Sequence, residues 1–193
     1  MRLFRFQSTN YFLLESSRDD SLLAFDAGWP CSLHGYAHTL KTTGLRFRQI
    51  KWAMVSHFHI DHAGLIGNFQ DAGIKCFVFE NQIETIAVME ELIGRKYRDY
   101  RKIRKDGLVK VQTCNSRSLL ESFGIKGEVI ITSGHSDDSI SLITDSHEAL
   151  VGDLCPISQI MDDDARCHES WNLIRQKGGK HIYPSHAEPF TLD

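Results

Sequence analysis

Apolar positions in this chain fall mostly into short continuous or alternating runs, each cut off by Gly, Pro, Asn, Asp or Ser. Residues 3–6 and 11–14 read as two strands around a turn at Ser8, Thr9 and Asn10. Residues 21–25 make a third, broken sharply by Gly28 and Pro30. A helical period follows: Leu33, Tyr36, Ala37 and Leu40 form a stripe within 31–43, which Ser32 can cap and Gly44 stops. Trp52-Ala53-Met54-Val55 is a buried strand, with a helix starting at 63–69 and a strand at 75–79. Over 81–93, Ile83, Ile86, Met89 and Ile93 face inward, and Glu84, Glu90 and Glu91 outward. Strands at 109–111 and 128–131 flank a helix at 116–123. A hairpin pairs 140–143 with 149–151 around Asp145 and Ser146. A helix at 169–177 and a strand at 181–183 complete the pattern. Alternating strands and helices predict an α/β layering.

The polar residues gather where these strands end. Ser56-His57-Phe58-His59-Ile60-Asp61-His62 lies between a strand and a helix and holds three imidazoles and a carboxylate in six residues. Two apart on extended chain, His57 and His59 point to one side. Asp61 and His62 fall at the turn into the helix, where an acidic side chain suits the first N–H groups. Such donors suit zinc best, and iron or manganese next. His135, Asp153 and His186 each follow the end of an apolar strand, beside Gly or Pro-Ser turn residues. Strand ends present side chains to a cleft from a rigid support. His34 and His38, four apart on a helix, also have metal-binding spacing but lack a third ligand nearby; an exposed helix face explains them more simply. His147 and His181 read as structural.

Length and composition set the remaining bounds. The 193 residues suffice for one domain with a full core, and no repeat, low-complexity segment or linker interrupts them. A formal charge of −3 gives no reason to expect nucleic acid or an anionic membrane as partner. Residues 95–105 run against that balance, with seven positive charges and two interleaved tyrosines; Glu91 and Asp99 offer partial partners on a solvated helix face. No apolar run is long enough to span a bilayer, and the alternating N-terminus is no secretory signal. Five scattered cysteines without CxxC spacing fit the reducing cytoplasm.

The order HxHxDH (His57 to His62), Gly-His (His135), Gly-Asp (Asp153) and Pro-Ser-His (His186), preceded by Phe25-Asp26-Ala27-Gly28, resembles the metallo-β-lactamase-fold hydrolases over positions 26 to 186. That resemblance implies an αββα sandwich, two mixed β-sheets flanked by helices, with metals at one edge between the sheets. It implies that His57, His59 and His135 hold one metal, that Asp61, His62 and His186 hold a second, that Asp153 bridges them and that Asp26 braces the ligand loop. Two zinc ions about 3.5–4 Å apart share a hydroxide whose pKa falls to roughly 7, and Asp61 can hold or relay the proton.

Family members can be weighed by their differences. The secreted class B β-lactamases lack a bridging Asp, whereas Asp153 is present here. Glutathione-thioester hydrolases carry a C-terminal helical region, whereas seven residues follow His186. Nucleases of the family carry an inserted domain or arm, for which the stretch between Asp153 and His186 is too short. The flavin-linked di-iron members place Glu where His59 stands. The expected activity is a dinuclear zinc hydrolase of a small ester, thioester, lactone or phosphoester. The alternatives are a mononuclear iron thiol or persulfide dioxygenase and a non-catalytic metal-binding protein. Cys155, Pro156 and the loop through Asp162, Asp163 and Asp164 to His168 are candidates to line the pocket.

Overall fold

A computed structural model describes residues 1–192. Its first half builds a mixed sheet from β1 (Arg2–Phe6), β2 (Thr9–Glu15), β3 (Leu22–Phe25), β4 (Ile50–Met54), β5 (Lys75–Phe79) and β6 (Leu108–Val111), in that spatial order. The first three strands pair antiparallel and the rest parallel. Around it run α1 (Leu33–Thr42), α2 (Ile60–Ala63), α3 (Ile66–Asp71) and α4 (Thr85–Lys96), followed by α5 (Ser116–Ser122). The second sheet holds β7 (Gly127–Ile131), β8 (Ile140–Thr144), β9 (Glu148–Gly152), β10 (His181–Pro184) and β11 (Phe190–Thr191), with α6 (Ala165–Gln176) between β9 and β10. Its order is β11-β10-β9-β8-β7, and the β9–β10 pair is parallel among antiparallel ones. The chain is thus an αββα sandwich of two mixed sheets.

The continuous apolar strands follow from this layering, because both faces of each sheet are covered. In β2, Tyr11 and Leu13 pack under the helices, and Phe12 and Leu14 between the sheets. In β5, Cys76 and Val78 go outward while Phe77 and Phe79 go between the sheets. On the far side, Ala149 and Val151 of β9 meet Trp171 and Ile174 of α6.

Several local expectations need correction. The first hairpin turns at Gln7 and Ser8, with Gln7 at φ +55°, and Thr9 already pairs with Phe6. Thr9 and Asn10 are tolerated in the strand because their buried side chains bond to the far end of the chain and to the site. Ser32 does not cap α1; its hydroxyl donates to the Trp29 carbonyl at 2.6 Å. α4 begins at Thr85 rather than near 81, because the Gln82 side chain is used across the loop, donating to the Val55 carbonyl at 2.9 Å. Glu90 is half-buried and accepts the Ile103 N–H at 2.7 Å, so it is not a solvent-facing position. α6 starts a turn early, since the Asp164 carboxylate caps it by accepting the Cys167 N–H.

The basic stretch is only briefly helical. After Lys96 it turns at Arg98 and Asp99 and crosses α3 without regular structure, pinned by ion pairs from Arg101 and Arg104 to Asp71, while Arg95 pairs with Glu91. Glu91 is a partner as expected, but the second is Asp71 rather than Asp99. The crossing is close at Gly67, where a Cβ would overlap the carbonyl oxygens of Arg101 and Lys102. Gly67→Ala is therefore expected to cost about 1–3 kcal/mol. Urea unfolding should show a lower midpoint at unchanged slope; an unshifted midpoint would mean the crossing segment lifts away without loss.

Candidate metal centre

The strand ends converge at one edge between the sheets. Asp26 follows β3 and its N–H donates to the Met54 carbonyl of β4 at 2.9 Å. Ser185, after β10, donates its N–H to Gly152 of β9, and Asn10 of β2 donates to Ser185 at 2.8 Å, so backbone bonds tie the two sheets beside the cluster. Gly152 takes φ +58°, and a Cβ there would press on Ser56 at 2.6 Å; a bare backbone lets the two ligand loops close.

Seven predicted side chains meet here. One group is His57, His59, His135 and Asp153, and another is Asp61, His62 and His186; within each, the potential ligand atoms lie within 4.8 Å of one another. Asp153 faces both groups. Its Oδ2 lies 3.8 Å from His57 Nε2, 3.8 Å from His135 Nε2 and 3.3 Å from His62 Nε2, and its Oδ1 lies 3.3 Å from His186 Nε2. His59 Nδ1 and His135 Nε2 are 3.2 Å apart. His34 and His38 stack on the surface of α1, away from these two groups, and His147 bonds the Gly178 carbonyl beside its hairpin.

Hydrogen bonds behind the rings fix which nitrogen faces the centre. Asp26 is fully buried at φ +75°, and its carboxylate accepts the Ser56 N–H at 2.7 Å, the Ser56 hydroxyl at 3.1 Å, His62 Nδ1–H at 2.9 Å and the Ser185 hydroxyl at 3.4 Å. With its hydroxyl proton on Asp26, Ser56 Oγ accepts His57 Nδ1–H at 2.9 Å. His186 Nδ1–H donates to the Ser8 carbonyl at 3.0 Å. Each of these three rings therefore turns Nε2 inward, the tautomer a metal ligand needs.

The inward atoms lack ordinary partners. His57 Nε2, His62 Nε2 and Asp153 Oδ1 are buried without a hydrogen bond. His62 Nε2 lies 3.2 Å from Asp61 Oδ2, and His186 Nε2 lies 3.0 Å from the same oxygen. Lone pairs and carboxylates at such distances need a cation or a proton between them. Donors sharing a tetrahedral ion at 2.0–2.1 Å sit about 3.3 Å apart, so the spacing fits a metal.

The electrostatics follow the same division. Burial, helped by neighbouring imidazoles, pushes the His57 pKa well below its usual range, and burial lowers that of His135. His62 is also penalised by burial, yet the Asp26 charge, the close carboxylate of Asp153, the bond to Asp26 and the close carboxylate of Asp61 hold its pKa well above normal. The close carboxylates of Asp153 and Asp61 push that of His186 up to about 10. Burial opposes the ionised forms of Asp61 and Asp153, but His186 and His62 outweigh it and hold both below the usual carboxylate range.

Some supporting residues carried little sequence signal. The Thr9 hydroxyl donates to Asp61 Oδ2 at 3.1 Å and the Tyr11 hydroxyl to the Asp61 carbonyl at 2.9 Å. Buried Asp138 accepts the Phe58 N–H at 2.6 Å and the Thr85 hydroxyl at 3.0 Å, which sets the ligand loop against α4. A polar pair heading an apolar strand was the only trace of Thr9. The cavity beside the centre, about 420 Å³, is walled by α4 and the loops at 58–60 and 136–138. None of the residues from Cys155 to His168 lines it.

A sequence profile of the metallo-beta-lactamase superfamily matches residues 5–186. Among solved structures, a metallo-beta-lactamase family protein from Thermus thermophilus is similar at 19% identity and TM-score 0.70, over 95% of this chain and 70% of that one. A protein solved in a di-iron-bound form is similar at 16% identity and TM-score 0.68, over 95% of this chain and 89% of its own. The FEZ-1 metallo-beta-lactamase of Legionella gormanii is similar at 15% identity and TM-score 0.69, over 93% and 74%.

Proposed function

Because the chain belongs to the metallo-beta-lactamase superfamily, we propose that it is a dinuclear zinc hydrolase of a small ester, thioester, lactone or phosphoester. The observation that carries this reading is the pair of facing donor groups with Asp153 between them and buried Nε2 atoms left without partners. His57, His59 and His135 would hold one ion, Asp61, His62 and His186 the other, and Asp153 both. Bound there, the ions would supply a water acidified to about neutral pKa and polarise the scissile C=O or P=O.

The chain's own residues set the rest. Ser56, Asp26 and the Ser8 carbonyl lock ring tautomers, so the donors are aimed before metal arrives. Exposed His59 and His135 leave that side open to substrate, while His57 and His62 are sealed from solvent. Asp61, whose Oδ2 accepts from Thr9, would hold or relay the proton of the attacking water. Residues 1–193 would act as one domain on a small molecule in the reducing cytoplasm, a setting that suits five free cysteines; no described helix is long and apolar enough to cross a membrane.

Elemental mass spectrometry on protein purified without a metal-binding tag tests the reading. About two zinc ions per chain are expected, with chelation abolishing hydrolysis across an ester, lactone, thioester and phosphodiester panel and zinc restoring it. Metal-free protein with chelator-insensitive activity would reject it. One observation favours a second reading: the structural neighbour in a di-iron-bound form, set beside an imidazole and carboxylate donor set that iron also accepts. One iron per chain and oxygen uptake with a persulfide would move the assignment to a mononuclear iron dioxygenase.

A further inference from the structure

The 420 Å³ cavity beside His59 is of small-molecule size. Val88, Met89, Leu92 and Ile93 line one wall from α4, and Phe58 and Ile60 add to the other from the ligand loop. Val88 is 61% exposed and Leu92 57%. They are four apart, so they stand one above the other on the same side of the helix. Met89 and Ile93 face the core below them. The helix thus carries a second apolar stripe beside its core-facing one, where a surface helix normally carries charge.

The groove has two different ends. At one, His59 itself forms part of the wall, and the bonds from Thr85 and Phe58 to Asp138 fix the helix against the ligand loop. At the other lies Lys96, which pairs with no carboxylate among the described residues. From Thr85 to Lys96 the helix face is about 16 Å long. The groove is therefore continuous with the donor cluster; α4, Phe58 and Ile60 make most of its lining apolar, and Ser136, Asp137 and Asp138 add a polar part.

We infer that this groove binds an apolar arm of the substrate, with the reacting end at His59 and the arm lying along α4 against Val88 and Leu92. The inference rests on the hydrolase reading and narrows its substrate class to esters or thioesters bearing a medium-length hydrocarbon chain, on either the acyl or the leaving-group side. Phosphoesters of small polar alcohols do not fit these walls.

Two ester series on zinc-loaded protein test it: p-nitrophenyl acetate, butanoate, hexanoate and octanoate, and acetates of alcohols of matching lengths. In one series kcat/KM should rise about two- to fourfold per added methylene, the gain expected for partial to full burial of that group. Leu92→Asp and Val88→Asp should each cut the octanoate-to-acetate ratio at least tenfold. Met161→Asp, which removes an apolar side chain 70% exposed elsewhere, should leave the ratio where it was. Binding is read separately, by methyl NMR of Val88 and Leu92 during titration with octanoate and with acetate. Octanoate alone should shift them.

The failures separate. Octanoate shifts with no ester, thioester, lactone or phosphodiester turned over would keep the groove and overturn the hydrolase reading. Turnover independent of chain length in both series, with no methyl shifts, would overturn the groove and keep the hydrolase. A dimer in sedimentation that Leu92→Asp dissolves would assign the stripe to a second copy of the chain and also overturn the inference.

Discussion

Asp153→Ala is expected to release bound metal and lower kcat/KM by about a thousandfold or more. Asp153 is the residue whose two oxygens face both donor groups, within 3.3 to 3.8 Å of four imidazole nitrogens. Its removal takes a charge from the centre and leaves His57 and His62 Nε2 with no shared partner. Changes in residues that only support ligands cost about 10–100-fold in affinity or activity, and loss of a shared ligand should exceed that. Loss of one precisely aimed charge-stabilising group costs a further 10²–10³ in rate. Metal content after gel filtration and kcat/KM on the best ester measure both effects. Full metal occupancy with unimpaired turnover would remove Asp153 from the centre.

The second large effect concerns stability. Asp26→Ala is expected to destabilise metal-free protein by about 3–5 kcal/mol, the range for stripping one partner from a buried charged pair. The carboxylate has no solvent contact and accepts four hydrogen bonds, from Ser56, His62 and Ser185. Alanine would leave the Ser56 N–H and His62 Nδ1–H buried without acceptors. The backbone keeps its φ of +75°, a conformation that costs any non-glycine residue something and persists only when neighbours enforce it. Urea unfolding of chelated protein isolates this effect from metal loss. A change below about 1 kcal/mol would show that water replaces the carboxylate. Asp26→Asn keeps the shape and one acceptor oxygen, and should fall between wild type and alanine.

The layers were legible in the sequence because both sheets are covered on both faces, which turns strands such as β2, β5 and β9 into unbroken apolar runs. The donors were legible because strand ends and turn residues frame them. What stayed hidden depends on contacts between distant segments. Thr9 looks like a turn residue until Asp61 lies opposite, and Asp138 looks like surface loop until Phe58 and Thr85 reach it. Val88 and Leu92 carry no signal of their own beside Ile86, Met89 and Ile93, since a one-dimensional pattern cannot separate a core-facing stripe from one beside a cavity. The early start of α6 was missed for a smaller reason: three consecutive aspartates look like loop, and only geometry tells which one caps.

The strap at Asn10 has a consequence for timing. Its side-chain amide donates to the carbonyls of Pro184 and Ala187, 174 and 177 residues away in sequence. During synthesis from the N-terminus, His57, His59, Asp61 and His62 leave the ribosome long before Asp153 and His186 exist. The donor groups are therefore complete only once the two ends of the chain have met. An ion held by donors from both halves would favour the finished topology, and metal would then act as a lock on completed folding.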